Sequence, residues 1–319
     1  MLRTIIAISQ IKGIGDAFFR KHLDILKKEK DEAIAILKQM DDRIQDEYIN
    51  ENMRHAEDVI LQCSKSDISI IPIWDKTYPA KLLELSDAPV VLYAKGNLSL
   101  LQRKCVAVIG TRKSSSLGDR IANKIGSHFS QNYAICNGLV AGIDRASILI
   151  DEENVHPNVI GVLSGGLNYA YTISKTSRQL ADLVIKNNGL LISSFEPNVC
   201  EDSFSGSKAS RIQAGLADAL VLVESSIDGG SKYTLKSFVK LNRVIGVVSY
   251  KANETYQSSE SFSANRLIAN SPKEGIMQMC SLKTTKSLII KDIVVIENSA
   301  GYSILENAIS YTEKSTLFY

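Results

Sequence analysis

The strongest constraint on the fold lies between residues 105 and 248. There, six short apolar runs alternate with longer amphipathic stretches: "VAVIG" (106–110), "YAIC" (133–136), "VIGVL" (159–163), "GLLIS" (189–193), "ALVLV" (219–223) and "VIGVV" (244–248). Runs this short, rich in β-branched residues and without polar alternation, predict strands covered on both faces. Between the first two, Ile121, Ala122, Ile125 and Phe129 recur at helical spacing, as do Leu180, Leu183 and Val184 between the third and fourth. Strands that alternate with helices predict an α/β fold, a Rossmann-like doubly wound parallel sheet.

The flanks divide the chain further. Residues 1–65 read as a small helical domain of helix-hairpin-helix (SAM-like) type. In "SQIKGIGDAFFRKHL" (9–23), Gly13 and Gly15 separate two helical patterns. Lys12, Arg20 and Lys21 lie near this turn, yet a lone Gly-Ile-Gly favours a tight interhelical connection over a phosphate-binding hairpin. Residues 66–280 are expected to form the Rossmann-like domain, which opens with two short strands, "ISIIPIWD" and "APVVLYAKGN", around "YPAKLLEL", whose Pro79 suits the first turn of a helix. Residues 281–319 are expected to be a separate extension of strand, strand and short helix.

Composition matters where it excludes. Lys and Arg number 37 against 35 Asp and Glu, so net charge is silent about partners: basic residues can still gather on one face. The five cysteines include no Cys-x-x-Cys pair and partly sit in apolar runs, which fits a reducing, cytoplasmic setting. The four histidines lack metal-ligand spacing, and neither a metal nor a cofactor is expected. No apolar run approaches the ~18–20 residues of a membrane span, so no membrane partner is expected.

In a doubly wound sheet, ligands bind beyond the carboxyl ends of the strands. The residues that follow each predicted strand are small or polar. They are Gly110, Thr111, Arg112 and Ser114; Asn137 and Gly138; Ser164, Gly165 and Gly166; Ser193 and Ser194; then Glu224, Asp228, Gly229, Gly230 and Ser231. Such loops are expected to leave backbone N–H groups bare and hydroxyls free, which suits a phosphate. Lys175, Lys208 and Arg211 are expected to join Arg112 as an electropositive rim.

The motifs "YPAKLLELSDAPVVLYAKGN", "VAVIGTRKSSSLG", "NGLVAGID", "VIGVLSGGLNYAY", "ALVLVESSIDGGS" and "ANRLIAN" together resemble the DprA/Smf DNA-processing family, from about residue 70 to 276. The resemblance implies single-stranded DNA binding, dimerisation and loading of the RecA recombinase. It assigns Arg112 to a DNA phosphate, aligns Gly138, Gly142, Ile143 and Asp144 with a loop signature, and makes Asp144 a cap on the next helix. There are departures. Ala141 stands where the family has an arginine, Ile148 where it has a histidine, and "GSKASRIQAGL" keeps only Lys208 and Arg211 of a cationic motif.

A related superfamily hydrolyses nucleotide N-glycosidic bonds, but "DGGSKYTLKS" lacks its final carboxylate, with Glu224 the one substitute, so no enzyme is expected. Two alternatives to a DNA-processing protein stand beside it. One is a diverged homologue in a phage-defence module, acting as DNA sensor or as antitoxin to a toxin encoded nearby. The other is a nucleotide-sensing domain using the same edge.

Overall fold

A computed structural model describes residues 1–316 of the chain. Strands β1 (Ser69–Pro72) and β2 (Val91–Gly96) precede six strands that coincide with the apolar runs. These are β3 (Cys105–Gly110), β4 (Ala134–Asn137), β5 (Val159–Val162), β6 (Leu190–Ser193), β7 (Ala219–Glu224) and β8 (Arg243–Val248), and β9 (Ile290–Ile296) follows them. All nine belong to one sheet in the order β1-β2-β6-β5-β4-β3-β7-β8-β9. Pairing is parallel from β6 through β9, while β2 runs antiparallel to both β1 and β6. The continuous apolar runs are explained by position: every residue of β4 to β8 is buried, as a strand between two helical layers requires.

The amino-terminal helices are α1 (Leu2–Ser9), α2 (Asp16–Lys21), α3 (Leu23–Leu26), α4 (Lys30–Met40) and α5 (Asp46–Lys65). Gly13 sits at φ +89° in the turn between α1 and α2, and a Cβ there would lie 2.2 Å from an Arg43 Nη1. That guanidinium donates to Lys12 O at 3.1 Å and pairs with Asp41, so the turn is filled by an arginine of its own chain. The tight interhelical reading is the one the geometry matches. This layer joins the sheet domain through Arg20 Nη2, which donates to Leu83 O at 2.5 Å, and through Asp16, which accepts from Val90 N at 3.0 Å.

Between the strands run α6 (Ser116–Phe129), α7 (Ile143–Ile148), α8 (Tyr169–Thr172), α9 (Lys175–Lys186), α10 (Ser205–Leu216) and α11 (Ser231–Phe238). After β8 come α12 (Glu254–Ser258), α13 (Ser263–Asn270) and α14 (Pro272–Met279), and after β9 comes α15 (Ala300–Thr316). Sheet order steps one way from β3 to β6 and the other way from β7 to β9, so right-handed crossovers put α6 and α7 on one face and α10 and α11 on the other. In α6, Ser115 Oγ accepts from Gly118 N at 3.0 Å as N-cap, and Ala122, Ile125 and Phe129 meet the sheet. Burying Ile125 and Phe129 contributes about 1.5–3 kcal/mol each.

The carboxyl-terminal segment differs from expectation. "LIIKDIVVI" contains one strand rather than two, and β9 extends the main sheet beside β8 instead of standing apart. Lys291 and Asp292 look like a break in the sequence, but the sheet margin leaves Asp292 exposed and the strand continues through them. The helix that follows is 17 residues long, not short, and the last three residues of the expected extension lie outside the described residues.

Candidate nucleic-acid interface

The switch in strand direction falls between β3 and β7, and the crevice beyond their carboxyl ends is where a nucleotide phosphate sits in doubly wound folds. Here that position holds Glu224. Its fully buried carboxylate accepts from Ser115 N at 3.0 and 3.2 Å, from Ser115 Oγ at 3.0 Å and from Ser261 Oγ at 2.5 Å. A Cβ on Gly118 would come within 1.8 Å of Glu224 Oε2, so the first turn of α6 closes directly over the carboxylate. A negative group at the amino end of α6 is favoured by the helix dipole. The anion that the Gly-Thr-Arg-Lys-Ser turn attracts is thus the protein's own.

The same substitution recurs along the rim. After β4, Gly138 N donates to Asp144 Oδ2 at 2.8 Å. Asp144 therefore clasps its own loop rather than capping α7, whose N-cap is Gly142 at φ +78°. Asn137 is buried and fully engaged: its Nδ2 donates to Asp144 O at 3.0 Å and its Oδ1 accepts from Leu139 N at 3.0 Å. After β5, Glu201 accepts from Ser174 N at 2.8 Å and from the Ser164 hydroxyl. After β6, Asp202 accepts from Phe204 N and Ser205 N, both at 2.8 Å, at the start of α10; the Ser205 hydroxyl and these amides hold its carboxyl below the usual range. Ser114 donates to Asp119, and Thr111 Oγ1 accepts from Lys113 N at 3.2 Å.

The glycines have internal reasons too. A Cβ on Gly110 would lie 2.4 Å from Ile143 Cγ1, one on Gly165 2.5 Å from Thr172 O, and one on Gly229 2.6 Å from Ser225 Oγ. These three make room for packing, not for a ligand. The bare amide hydrogens expected from sequence are largely spent on carboxylates of the same chain.

What the rim does offer is side chains. Arg112 and Lys113 after β3, and Lys175 at the start of α9, are exposed and make no ion pair or side-chain hydrogen bond among the described residues. Lys208 and Arg211 are not free in this way. Lys208 Nζ lies 3.2 Å from Asp16 and over the Phe195 ring, and Arg211 pairs with Asp87. Both sit on α10, across the sheet from α6, so the structure does not gather them with Arg112 into one free cationic rim. At the start of α11, Gly230 faces open space, and the buried Ser231 hydroxyl has no hydrogen-bond partner. This helix start has no carboxylate acceptor among the described residues, unlike those of α6, α9 and α10.

Sequence reasoning missed the aromatics. Phe204 is 78% exposed, Tyr171 60%, Tyr233 52% and Tyr250 41%. They follow β6, β5, β7 and β8 respectively, so all four stand along the carboxyl edge of the sheet. Lys232 Nζ lies 5.8 Å from the Tyr233 ring centroid. The signal was legible: each ring lies in a loop, helical turn or helix start that follows a predicted strand.

Asp144 records the local field. Burial pushes its carboxyl up from 3.8 to about 7, against the opposing pull of the Gly138 and Val140 amides and the Arg112 guanidinium. Gly142 brings the two loops together, since a Cβ there would meet Thr111 O at 2.2 Å.

Residues 69–281 match the family described as DNA recombination-mediator protein A. The chain is 33% identical over 171 residues to DNA processing protein DprA of Streptococcus pneumoniae, covering 54% of this chain and 59% of that protein. It is 28% identical over 192 residues to DprA of Bacillus subtilis, covering 60% and 63%, so it spans about six tenths of the length of these relatives. The X-ray structure of Streptococcus pneumoniae DprA superposes with a TM-score of 0.66 at 20% identity, covering 95% of this chain and 98% of that one. A structure concerned with the single-stranded DNA binding mode of DNA processing protein A from Helicobacter pylori gives 0.56 at 20% identity, covering 78% and 96%. Both share the fold.

Proposed function

Since the chain belongs to the DNA recombination-mediator protein A family, we propose that it binds single-stranded DNA along the carboxyl edge of its sheet, in DNA processing and recombination. The observation that carries this reading is the coincidence, on one edge, of unpaired cations with four exposed aromatic rings. Cations track a phosphodiester chain, and aromatic faces stack on unpaired bases; neither demands a particular sequence. Arg112 offers a planar fork to a phosphate, Lys113 and Lys175 add charge, and the open start of α11 adds Gly230 and the unpartnered Ser231 hydroxyl.

A mononucleotide-sensing role is disfavoured by Glu224, which fills the place of the phosphate. Glycosidic hydrolysis is disfavoured by the same contacts, because both carboxylate oxygens are committed to hydroxyl and amide donors. Among the described residues no helix is long and apolar enough to cross a membrane. A second copy of the chain, RecA or a neighbouring toxin are partners that the family resemblance and the altered cationic motif bring forward, and light scattering is the first check on the second copy.

The test is a mobility shift over a salt series with a ~30-nucleotide single strand, the matching duplex and a mononucleotide. The expected result is a steep salt dependence for the single strand and little binding of the mononucleotide. Tighter binding of the mononucleotide than of the strand contradicts the reading.

A further inference from the structure

Beside the rim lies a cleft of about 350 Å³ between α6 and α7, lined by Asp119, Arg120, Asn123, Lys124, Arg145 and, at its apolar floor, Ala146 and Leu149. The two helices touch backbone to side: a Cβ on Gly126 would lie 1.7 Å from Ser147 O, so this glycine sets their close approach. Asn123 locks the pair, its Nδ2 donating to Leu149 O at 2.7 Å. The floor is therefore built, and the cations stand on its walls.

Arg120, Lys124 and Arg145 are all exposed, and none makes an ion pair or side-chain hydrogen bond among the described residues. Arg120 and Lys124 are one helical turn apart and so share a face of α6. Asp119, the one carboxylate in the lining, already accepts from the Ser114 hydroxyl. Arg211, also exposed, is by contrast paired with Asp87. Three unpaired cations around one cleft leave it able to take an anion from outside.

The cleft is continuous with the rim. Ser114 ties the loop carrying Arg112 and Lys113 to the first turn of α6, and Arg120 and Lys124 lie only about 6 and 12 Å further along that helix axis from Ser116. Arg145 opens α7 just beyond the loop whose Gly142 packs on Thr111 and Arg112.

We propose that the α6–α7 cleft is a second phosphate track, in which Arg120, Lys124 and Arg145 hold the backbone of a single DNA strand as it leaves the rim. The inference rests on the single-strand reading above and deepens it by setting the strand's path and the length it needs. A strand of about 6 nucleotides is held at the rim alone, whereas one of about 30 also reaches the cleft.

The experiment measures log Kd against log salt by fluorescence anisotropy for oligothymidylates of those two lengths, using the full chain. In the R120A/K124A/R145A variant, the slope for the long strand should fall by about 2, since each phosphate that a cation neutralises on a single strand adds about 0.7 to it. Binding of the short strand should stay as in the unaltered chain, and R120K/K124R/R145K should keep the full slope. An unchanged slope in the alanine variant overturns the inference and leaves these cations to an acidic protein partner. Equal loss for the short strand, or loss in the charge-preserving variant, overturns it as well. If the unaltered chain binds neither strand, the proposed function itself falls, whereas rim-dependent binding without a cleft effect removes only the second track.

Discussion

The two faces of the sheet hold cations that are used in opposite ways. On the α10 face, Lys208 is held by Asp16, Arg211 by Asp87, and Arg243 by Glu84 together with the last carbonyls of α10. Arg243 is buried, and its Nη1 donates to Ala217 O at 2.6 Å, Gly215 O at 2.8 Å and Ala214 O at 3.2 Å, capping the negative end of that helix. On the α6–α7 face, Arg112, Lys113, Arg120, Lys124 and Arg145 have no such partners among the described residues. The charge of Lys208, Arg211 and Arg243 is structural cement. On the α6–α7 face it is available, and only available charge can grip a phosphate chain.

The comparison can be broken most severely at Arg243. Replacing it by alanine leaves the carbonyls of Ala214, Gly215 and Ala217 without their buried donor, while the half-exposed Glu84 carboxylate returns to water, and the loss should be about 3 kcal/mol in a urea titration. A cost below about 1 kcal/mol means the α10 face does not depend on its cations. Next in size, R112A/K113A should weaken binding of a long single strand about thirtyfold, or about 2 kcal/mol, without moving the unfolding midpoint. Phe204→Ala should lower single-strand affinity about tenfold through lost stacking while leaving the salt slope intact, which separates the stacking of rings from the pairing of charges.

A smaller effect concerns Asp144 beneath the rim. Its folded-state value, about 7, lies above the 3.8 of an ordinary carboxyl, so the folded chain binds more protons than the unfolded one between those limits. The stabilisation is fully present below pH ~4 and is lost as pH rises through about 7, at no more than about 1.4 kcal/mol per pH unit. Asp144→Asn should flatten that part of the stability profile, and a profile identical to that of the unaltered chain counts against the assignment. Smallest of all, K208A/R211A should change single-strand affinity by less than about twofold, since both side chains are already committed.

Sequence and structure diverge where pairing is distant. The six buried strands were legible because each is a continuous apolar run, and so was the doubly wound class. The role of Glu224 was not legible, because its donor Ser115 lies 109 residues away. Arg211 looked free for the same reason, with Asp87 124 residues distant. Loops rich in glycine and serine suggested bare amides, yet nothing local says that Asp144, Glu201, Asp202 and Glu224 would satisfy them. The aromatics were present in the sequence, each in a segment that follows a predicted strand, whereas core residues such as Phe129 and Phe238 end their helices and are buried.

The most direct measurement is ultraviolet crosslinking of a single-stranded oligothymidylate to the full chain, with the attached residues located by mass spectrometry. Crosslinks are predicted at Tyr171, Phe204, Tyr233 and Tyr250, along the carboxyl edge. Tyr48, 45% exposed on α5 among the amino-terminal helices, serves as the internal control. Attachment concentrated at Tyr48, with the four edge aromatics unmodified, would contradict the account.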